Sequence, residues 1–264
     1  MEVKDTMLNK LLPAVERAGV RMKEFYERRD TQVSFKGEID LVTQYDLELE
    51  RMLTESLGSV FPDFRIIGEE SSPPDIGKQP GKVIYIDPID GTTSFVHRFP
   101  FAGISVGVYI DNEPRCAVVC SPMLGELYHA IKGEGAYMNG KKINVSKTDK
   151  AIRSLFSTGF SYDRGERQKQ AAIFARILDI SQGMRRTGSA ALDLCYVARG
   201  TFDFYYEGSL KPWDMAAGIL IVQEAGGKVT DLRGCPHNLG SGLILASNGL
   251  VHDEYISEIT AAEL

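Results

Sequence analysis

The segment Asp87–Thr93 (DPIDGTT) places two carboxylates and two threonine hydroxyls within seven residues. It follows the apolar run Val83–Ile86, so the sequence predicts that a buried strand ends here and that the backbone turns. Pro88 has no amide hydrogen to continue a strand ladder, and Gly91 allows the backbone to approach a ligand closely. Carboxylates, free amides and hydroxyls together indicate a site for hard divalent cations and an anionic oxygen ligand such as phosphate.

Further acidic residues occupy comparable places along the chain. Glu69 and Glu70 follow a predicted strand at Arg65–Ile67, and Asp214 opens a predicted helix after a Pro-Trp pair. Each has an ordinary explanation: exposed loop charges for the glutamates, a helix N-cap for Asp214, and a simple turn for Asp90. If these carboxylates converge, their repulsion destabilises the fold unless cations neutralise it. No histidine or cysteine is interleaved with them, so magnesium or manganese is predicted rather than zinc.

Three other motifs with related letters do not fit. An EF-hand loop requires acidic residues at alternate positions before its glycine, and Ile89 breaks that pattern. Enzymes that form an aspartyl phosphate use D-x-D-x-T, whereas the spacing here is D-x-x-D-G-T. Gly135–Lys141 matches a P-loop by letter, but Lys142 replaces the required serine or threonine, and the segment predicts a hairpin.

Composition narrows the class of protein. The chain has 264 residues, a net charge of -6 and a pI of about 5.4, with no run of lysine or arginine that predicts nucleic-acid binding. No apolar run is long enough to cross a bilayer, and the charged start of the chain predicts no signal peptide. The four cysteines are scattered, and Cys116 and Cys120 are too far apart on one predicted strand to form a disulfide. A reducing, cytoplasmic location is therefore expected.

The hydrophobic pattern predicts the elements that must position the acidic residues. Apolar residues recur at helical spacing from Leu8 to Phe25, around Pro13, which predicts a helix that is kinked or that begins late. Short connections in the first half predict antiparallel pairing, and residues 71–82, rich in Pro, Gly and Ser, predict a mobile loop. The other predicted elements are helices over 43–57, 168–178, 189–198 and 215–225, and strands over 65–67, 83–86, 104–110, 115–120, 127–131, 155–158, 204–206, 228–230 and 243–247.

Mixed sheets with helices on their faces predict a layered α/β protein. A soft boundary at residues 148–153 divides the chain into an N-terminal half, 1–150, and a C-terminal half, 151–264. The first half contains most of the acidic candidates and the second contains Asp214, so we expect the two halves to form one compact catalytic unit.

Three segments, Gly68–Ser71 (GEES), Asp87–Phe95 (DPIDGTTSF) and Trp213–Gly218 (WDMAAG), resemble signatures of the inositol monophosphatase family. Gly188–Ala191 and Glu224–Gly227 fit the C-terminal half of that family, and the stretch 185–218 is most similar to its bacterial branch. The resemblance covers nearly the whole chain. It implies an alternating α/β/α/β/α sandwich of the kind shared with fructose-1,6-bisphosphatase, usually a homodimer. It also implies magnesium-dependent hydrolysis of phosphate monoesters, which lithium inhibits in many members.

The resemblance also implies which residues hold metal and activate water. Two to three Mg²⁺ ions, with Mn²⁺ as a substitute, are expected. The first ion would be held by Glu69, Asp87 and the carbonyl of Ile89, and the second by Asp87, Asp90 and Asp214. Thr92, oriented by Asp46 and paired with Glu69, would polarise the attacking water.

Substrate contacts follow from the same resemblance. The backbone amides of Gly91 and Thr92, at the start of a short helix, would receive the phosphate. The alcohol half of the substrate would face Asp90, Gly188, Ser189, Ala190 and Glu207. Less defined roles near these sites fall to Glu70, Thr93, Lys36, Asp40 and Arg186. The segment from Lys36 to Asp40 is one residue shorter than in the animal enzymes.

Inositol monophosphate is the first expected substrate, because Glu207 favours a polyol hydroxyl over an anion. Fructose 1,6-bisphosphate, histidinol phosphate and adenosine bisphosphate are alternatives on the same scaffold. Arg185 and Arg186 offer contacts to the second phosphate of the two bisphosphates, although a salt-bridged strand or an interface is the ordinary explanation of such a pair. Some bacterial relatives act by binding the transcription or translation machinery. A regulatory binding role is therefore the second alternative.

Overall fold

The computed structural model describes residues 2–28, 32–35, 41–73, 79–161 and 163–262. Its helices are α1 (Glu2–Glu27), α2 (Gln44–Val60), α3 (Thr92–Val96), α4 (Arg164–Asp179), α5 (Ala190–Ala198), α6 (Pro212–Glu224) and α7 (His252–Ala262). Its strands are β1 (Val33–Phe35), β2 (Leu41–Thr43), β3 (Arg65–Gly68), β4 (Lys82–Asp90), β5 (Gly103–Ile110), β6 (Glu113–Ser121), β7 (Glu126–Ile131), β8 (Gly135–Met138), β9 (Lys141–Ile143), β10 (Leu155–Thr158), β11 (Gly183–Arg185), β12 (Phe204–Glu207), β13 (Lys228–Thr230) and β14 (Ile244–Ser247).

Most strands of the described chain belong to two mixed sheets. The larger sheet has the order β3-β4-β5-β6-β7-β8-β9; β3 and β4 are parallel, and the other neighbours are antiparallel. The smaller sheet has the order β11-β10-β12-β14-β13, with β10 parallel to β11 and β12. Antiparallel meanders need only short turns, so the short connections of the first half predicted this pairing correctly.

Helices cover both faces of each sheet. α1 and α2 pack on the outer face of the larger sheet, α5 and α6 lie between the two sheets, and α4 and α7 cover the outer face of the smaller sheet. The middle layer is tightly packed: a Cβ at Gly107 on β5 would lie 2.8 Å from Cβ of Ala216 on α6. The result is the α/β/α/β/α arrangement that the resemblance implied.

Two local predictions about the backbone, a late start of the first helix and a strand end before Pro88, were wrong. α1 begins at Glu2 and continues across Pro13, where both Leu11 and Ala14 are buried; a kink at Pro13 stays a prediction. β4 does not end at Ile86 but runs to Asp90 through a β-bulge, in which Asp87 pairs with Ser105 and Asp90 pairs with Gly103. One extra residue on β4 is accommodated there, so Pro88 interrupts the ladder without ending the strand.

Other predicted elements were found with shifted ends or had been missed. α6 begins at Pro212 rather than Met215, because proline is favoured in the first turn of a helix. The hairpin predicted around Gly135–Lys141 is present as β8 and β9, whereas the short strands β1, β2 and β11 were not predicted. Lys36, Asp40 and residues 74–78 of the predicted mobile loop lie outside the described residues.

Two predictions concern the whole chain: its division into two halves, and whether any segment crosses a bilayer. The strands of the larger sheet precede residue 148 and those of the smaller sheet follow residue 153, but α6 contacts both sheets. The division into two halves stays a prediction. Among the described helices, none combines the length and the apolar character that a bilayer crossing needs.

His252 is a buried histidine held as a neutral ring. Its Nε2 lies 2.9 Å from Thr230 Oγ1, which donates its own hydrogen to the carbonyl of Asp231. Nε2 therefore carries the hydrogen, and Nδ1 accepts from Ser247 Oγ at 2.8 Å. Burial first, and the nearby Lys228 second, lower the pKa of His252 to about 4, against the opposing charge of Asp253.

Because of His252, we expect the folded protein to lose stability in mild acid. The unfolded chain protonates His252 below pH 6.5, whereas the folded protein does so only near pH 4, so its contribution to stability is present above pH 6.5 and is lost as the pH falls. Between pH 7.5 and 5.5 the loss is about 1.3 kcal/mol. Urea unfolding at both pH values should show a smaller loss in His252→Gln than in the wild type. His97→Gln, which changes an exposed histidine, is the control; equal losses in all three proteins would contradict the assignment.

Candidate active site

Parallel pairing of β3 and β4 brings the first two acidic residues to one edge of the larger sheet. Gly68 pairs with Ile86, and the amide of Glu69 donates to the carbonyl of Ile86 at 3.2 Å. Glu69, directly after the end of β3, and Asp87, within β4, therefore lie side by side. The β-bulge that follows turns the amide of Ile89 back, so that it donates to Asp87 Oδ1 at 3.0 Å.

Strand β5 holds the start of α6 close to Asp87. Asp87 pairs with Ser105, and Ser105 Oγ donates to the carbonyl of Trp213 at 3.2 Å. Asp214 is the third residue of α6, not its N-cap, and its carboxylate accepts from the amide of Lys211 at 2.7 Å. The ordinary explanation of Asp214 as the capping residue is therefore wrong, although its carboxylate does satisfy an amide of the helix start.

Asp90 connects the larger sheet to α5. Its Oδ2 accepts from Ser189 Oγ and from the amide of Ala191, both at 2.6 Å. Burial raises the pKa of Asp90 to about 6, while these two hydrogen bonds lower it. The start of α5, with the predicted substrate contacts Ser189 and Ala190, thus lies directly against a predicted metal ligand.

The electrostatics show that these acids converge. Burial, followed by the charge of Glu69 and then that of Asp90, raises the pKa of both Asp87 and Asp214 well above the usual range. Four carboxylates, Glu69, Asp87, Asp90 and Asp214, therefore repel one another in a buried place. Such a set of oxygen donors fits a hard divalent cation, which would remove the repulsion.

The side chains are not yet arranged around an ion. Asp87, Asp90 and Asp214 each accept hydrogen bonds from the protein. In the part of the chain that the structure describes, no three acidic, histidine or cysteine side chains are disposed to hold one ion together. The carboxylate oxygens are suitable ligands for a metal ion, but the carboxylates must reorient before they can coordinate one together.

Thr92 is held by the residue predicted to orient it. Its Oγ1 lies 3.2 Å from Asp46 Oδ1 and 3.1 Å from the carbonyl of Ile89, so its single hydrogen is shared between two acceptors. Asp46 is itself fixed, because its Oδ2 accepts from both the amide and the hydroxyl of Thr43 in the capping box of α2. The Thr92 oxygen therefore keeps its lone pairs available to accept a hydrogen.

At the turn before α3, the backbone of Gly91 lies close to the backbone of Gly188. Gly91 has a φ of +93°, and a Cβ there would lie 2.9 Å from the carbonyl oxygen of Gly188. α3 has no side-chain cap, and the Thr93 side chain is exposed beside Thr92. The amides that start this helix are the predicted phosphate contacts, and the glycine is required both by conformation and by space.

Glu207 lies at the opposite side of this region, at the end of β12. Its Oε2 accepts from Tyr205 Oη at 2.6 Å. Burial raises the pKa of Glu207 to about 7, and the Tyr205 hydroxyl and the charge of Arg186 lower it. Arg186 is exposed, and its Nη1 lies 2.6 Å from where a Cβ of Gly188 would be. Arg186 is thus close to Gly188, and its charge and that of Asp90 both act on Glu207.

Two buried acids that support the site were missed by sequence reasoning. Glu50 on α2 accepts from the amide of Glu70 at 2.7 Å, and a Cβ at Gly68 would lie 2.5 Å from its Oε2. The spacing of four between Asp46 and Glu50, on the face of α2 that also buries Leu49 and Leu53, was the available signal.

Asp193 on α5 is the second missed acid. Thr187 Oγ1 lies 2.6 Å from both of its carboxylate oxygens. Burial raises the pKa of Asp193 well above its usual range, and the Thr187 hydroxyl lowers it. This contact connects the start of the segment 187–190 to the helix that follows it, and an acid on an otherwise apolar helix was its only sequence signal.

The comparisons with known proteins agree with this geometry. The model of the "Inositol monophosphatase family" matches residues 4–263. The chain is 42% identical over 234 residues to an inositol-1-monophosphatase of Synechocystis, covering 88% of this chain and 80% of that protein. It is 38% identical over 255 residues to the Nus factor SuhB of Haemophilus influenzae, covering 96% and 95% of the two chains.

A solved structure extends the agreement to three dimensions. The inositol monophosphatase of Anabaena (Nostoc) superimposes with a TM-score of 0.87 at 35% identity, over 97% of this chain and 96% of that chain. The likeness covers both sheets and all three helical layers, since so little of either chain is left out. On the match of the family model and of these relatives, the chain belongs to the inositol monophosphatase family.

Proposed function

We propose that the protein is a magnesium-dependent phosphatase that hydrolyses inositol monophosphate by attack of water. The observation that carries the proposal is the convergence of Glu69, Asp87, Asp90 and Asp214, where burial and the charge of Glu69 raise the pKa of the three aspartates. A protein retains such mutual repulsion at a cost in stability, which bound cations would offset.

The metal ligands are those that the family resemblance implies. Glu69, Asp87 and the carbonyl of Ile89 form the first set, and Asp87, Asp90 and Asp214 form the second, for two to three Mg²⁺ ions or Mn²⁺ in their place. When bound, the ions lower the pKa of water and neutralise charge on the phosphate and on the leaving oxygen.

The remaining steps belong to the chain's own groups. Thr92 Oγ1 accepts a hydrogen bond from the attacking water and so orients it, while its own hydrogen stays directed at Asp46 Oδ1 or the Ile89 carbonyl. Glu69 orients the water from the other side. The amides of Gly91 and Thr92 bind phosphate oxygens at the start of α3, where no side chain competes for them.

The alcohol half of the substrate lies between Asp90 and Glu207. Ser189 and Ala190 follow the Gly188 turn at the start of α5, and Glu207 offers a carboxylate to hydroxyl donors. A polyol such as inositol matches acceptors of this kind, whereas a second phosphate would be repelled by them. Arg186 is exposed at the rim, where it sets the charge felt by Glu207 rather than forming the substrate pocket.

Phosphate release tests the proposal directly. The substrates are inositol 1-phosphate, fructose 1,6-bisphosphate, histidinol phosphate and adenosine 3′,5′-bisphosphate, each assayed with magnesium and then with chelator. We expect chelator-sensitive release, fastest with inositol 1-phosphate and inhibited by lithium. Release that persists in chelator would contradict the metal-dependent mechanism, and preference for another ester would contradict the substrate.

A regulatory role is a second candidate, favoured by one observation, the similarity to proteins named Nus factor SuhB. Such a role uses surfaces apart from the acidic centre. Pull-down of transcription-complex proteins by the wild type and by Asp214→Asn separates the two functions. Binding that survives the loss of phosphatase activity would support the second role, and no binding by either protein would remove it.

The family resemblance also implies a homodimer, which light scattering can test. We propose a cytoplasmic location, with which the four free cysteines are consistent.

A further inference from the structure

Gly159 lies so close to the Glu207 carboxyl group that a side chain at position 159 would have to displace it. A Cβ at Gly159 would be nearer than 3.0 Å to all three atoms of the Glu207 carboxyl group. The φ angle of Gly159 is outside the left-handed region, so its backbone conformation is open to other residues. Space for the carboxyl group, not backbone conformation, is what requires glycine here.

The register of the smaller sheet explains this proximity. β10 and β12 are parallel, and Thr158 pairs with Tyr206. The next residues, Gly159 and Glu207, therefore lie side by side as the two strands end. Thr158 Oγ1 donates to the carbonyl of Tyr206 at 2.8 Å, which ties the two strand ends together at this point.

The Glu207 carboxyl group is confined from the other side as well. Tyr205 Oη donates to Oε2 at 2.6 Å, and Tyr205 is fully buried, so the donor cannot follow a displaced acceptor. Any residue larger than glycine at 159 would push the carboxyl group away from this hydroxyl. The direction of the Glu207 side chain is thus set by two neighbours, one that donates and one that leaves room.

The Glu207 carboxyl group lies near the acidic centre, since the charge of Glu207 acts on Asp214 and the charge of Asp90 acts on Glu207. In the proposed function it contacts the alcohol half of a bound phosphate ester. An acceptor there attracts hydroxyl donors and disfavours apolar or anionic leaving groups.

We propose that Gly159 is a specificity-determining residue, which acts through Glu207 to select phosphate esters whose alcohol carries hydroxyl groups. The inference rests on the proposed function and adds to it the class of alcohol and the residue that sets it. Gly159 touches no substrate; it is a positioning residue.

Steady-state kinetics of Gly159→Ala test the proposal with two substrates. For inositol 1-phosphate, kcat/KM should fall about tenfold, mainly through KM, as expected for the loss of a hydrogen bond to the Glu207 carboxyl group. For p-nitrophenyl phosphate, whose leaving group has no hydroxyl to donate while esterified, kcat/KM should fall by less than about threefold. Gly183→Ala, in the adjacent strand β11, is the matched control, because its Cβ would lie 3.7 Å from Leu155 Cδ1, an ordinary contact.

A double-mutant cycle with Glu207→Ala makes the test specific. Removing the carboxyl group leaves room for a Cβ, so Gly159→Ala should lower neither the melting temperature nor the discrimination between the two substrates in that background. Equal losses on both substrates, or the same effect of Gly159→Ala with and without Glu207, would overturn the proposal.

If the proposed phosphatase function is wrong, these measurements give a different result from the one expected if only the role of Gly159 is wrong. If the wild type hydrolysed neither ester, the function would be wrong, and the melting temperatures of the four proteins in the cycle would still report whether Gly159 acts through Glu207. If Gly159→Ala does not fold, the double variant and Glu207→Ala alone supply the comparison. A double variant that also fails to fold would overturn the coupling.

Discussion

Replacing Asp87 by asparagine should reduce kcat for inositol 1-phosphate by about a thousandfold or more and leave the fold intact. Asp87 belongs to both proposed metal sets, so its loss removes charge from each, and metal ions contribute several kcal/mol to such reactions. Asparagine keeps an oxygen that can accept from the amide of Ile89. The measurement is phosphate release at saturating magnesium, where retained activity would rule out the proposed role.

In the absence of metal, Asp87→Asn should be more stable than the wild type. The pKa of Asp87 is raised well above its unfolded value, so placing this carboxyl group in the fold costs stability at pH 7, and the cost decreases as the pH falls from the folded pKa towards the unfolded pKa. Asparagine carries no charge, so chelator-treated Asp87→Asn should unfold at higher urea than the chelator-treated wild type. Asp149→Asn, which changes an exposed aspartate, is the control, and we expect no such gain from it.

Replacing Thr92 by alanine should lower kcat about a hundredfold and change metal affinity much less. The hydroxyl is the group proposed to accept a hydrogen bond from the attacking water, and the loss of a group that orients a reactant costs on this scale. Thr92 is not among the proposed metal ligands, so magnesium titration of the variant should give an affinity within about threefold of the wild type.

Thr92→Ser is the matched control for this prediction. Serine keeps an oxygen that can donate to Asp46 Oδ1 or the Ile89 carbonyl, so it should retain most of the activity. Equal loss of turnover and metal affinity in Thr92→Ala would instead make Thr92 a structural support of the site. Loss in both variants alike would show that the methyl group, not the hydroxyl, is what the site requires.

Local patterns predicted the parts of the site that depend on neighbouring residues. Glu69 and Glu70 do follow a strand, Asp214 does stand in the first turn of a helix, and the Gly91 turn does begin one. The Thr92–Asp46 contact was implied by family resemblance alone, and it is present as a hydrogen bond. The catalytic and metal roles of these residues stay predictions that the experiments above address.

The errors have a common cause. Pro88 reads as a strand end because it lacks an amide hydrogen, but the β-bulge opposite Gly103–Ser105 accommodates it within β4. Glu50 reads as one more charge on a helix surface, but the face that contains it is covered by β3 and β4. In both cases a partner far away in the chain decides what a local signal means.

The sequence by itself determined the donor types, the order of the elements and the family, because turns, strand ends and helix starts depend on a few adjacent residues. Only the tertiary structure decided that Asp87, Asp90 and Asp214 repel one another, and that Gly159 leaves room for Glu207. Coulomb energy and steric exclusion depend on distance in space, and that distance was set when α5 and α6 packed between the two sheets.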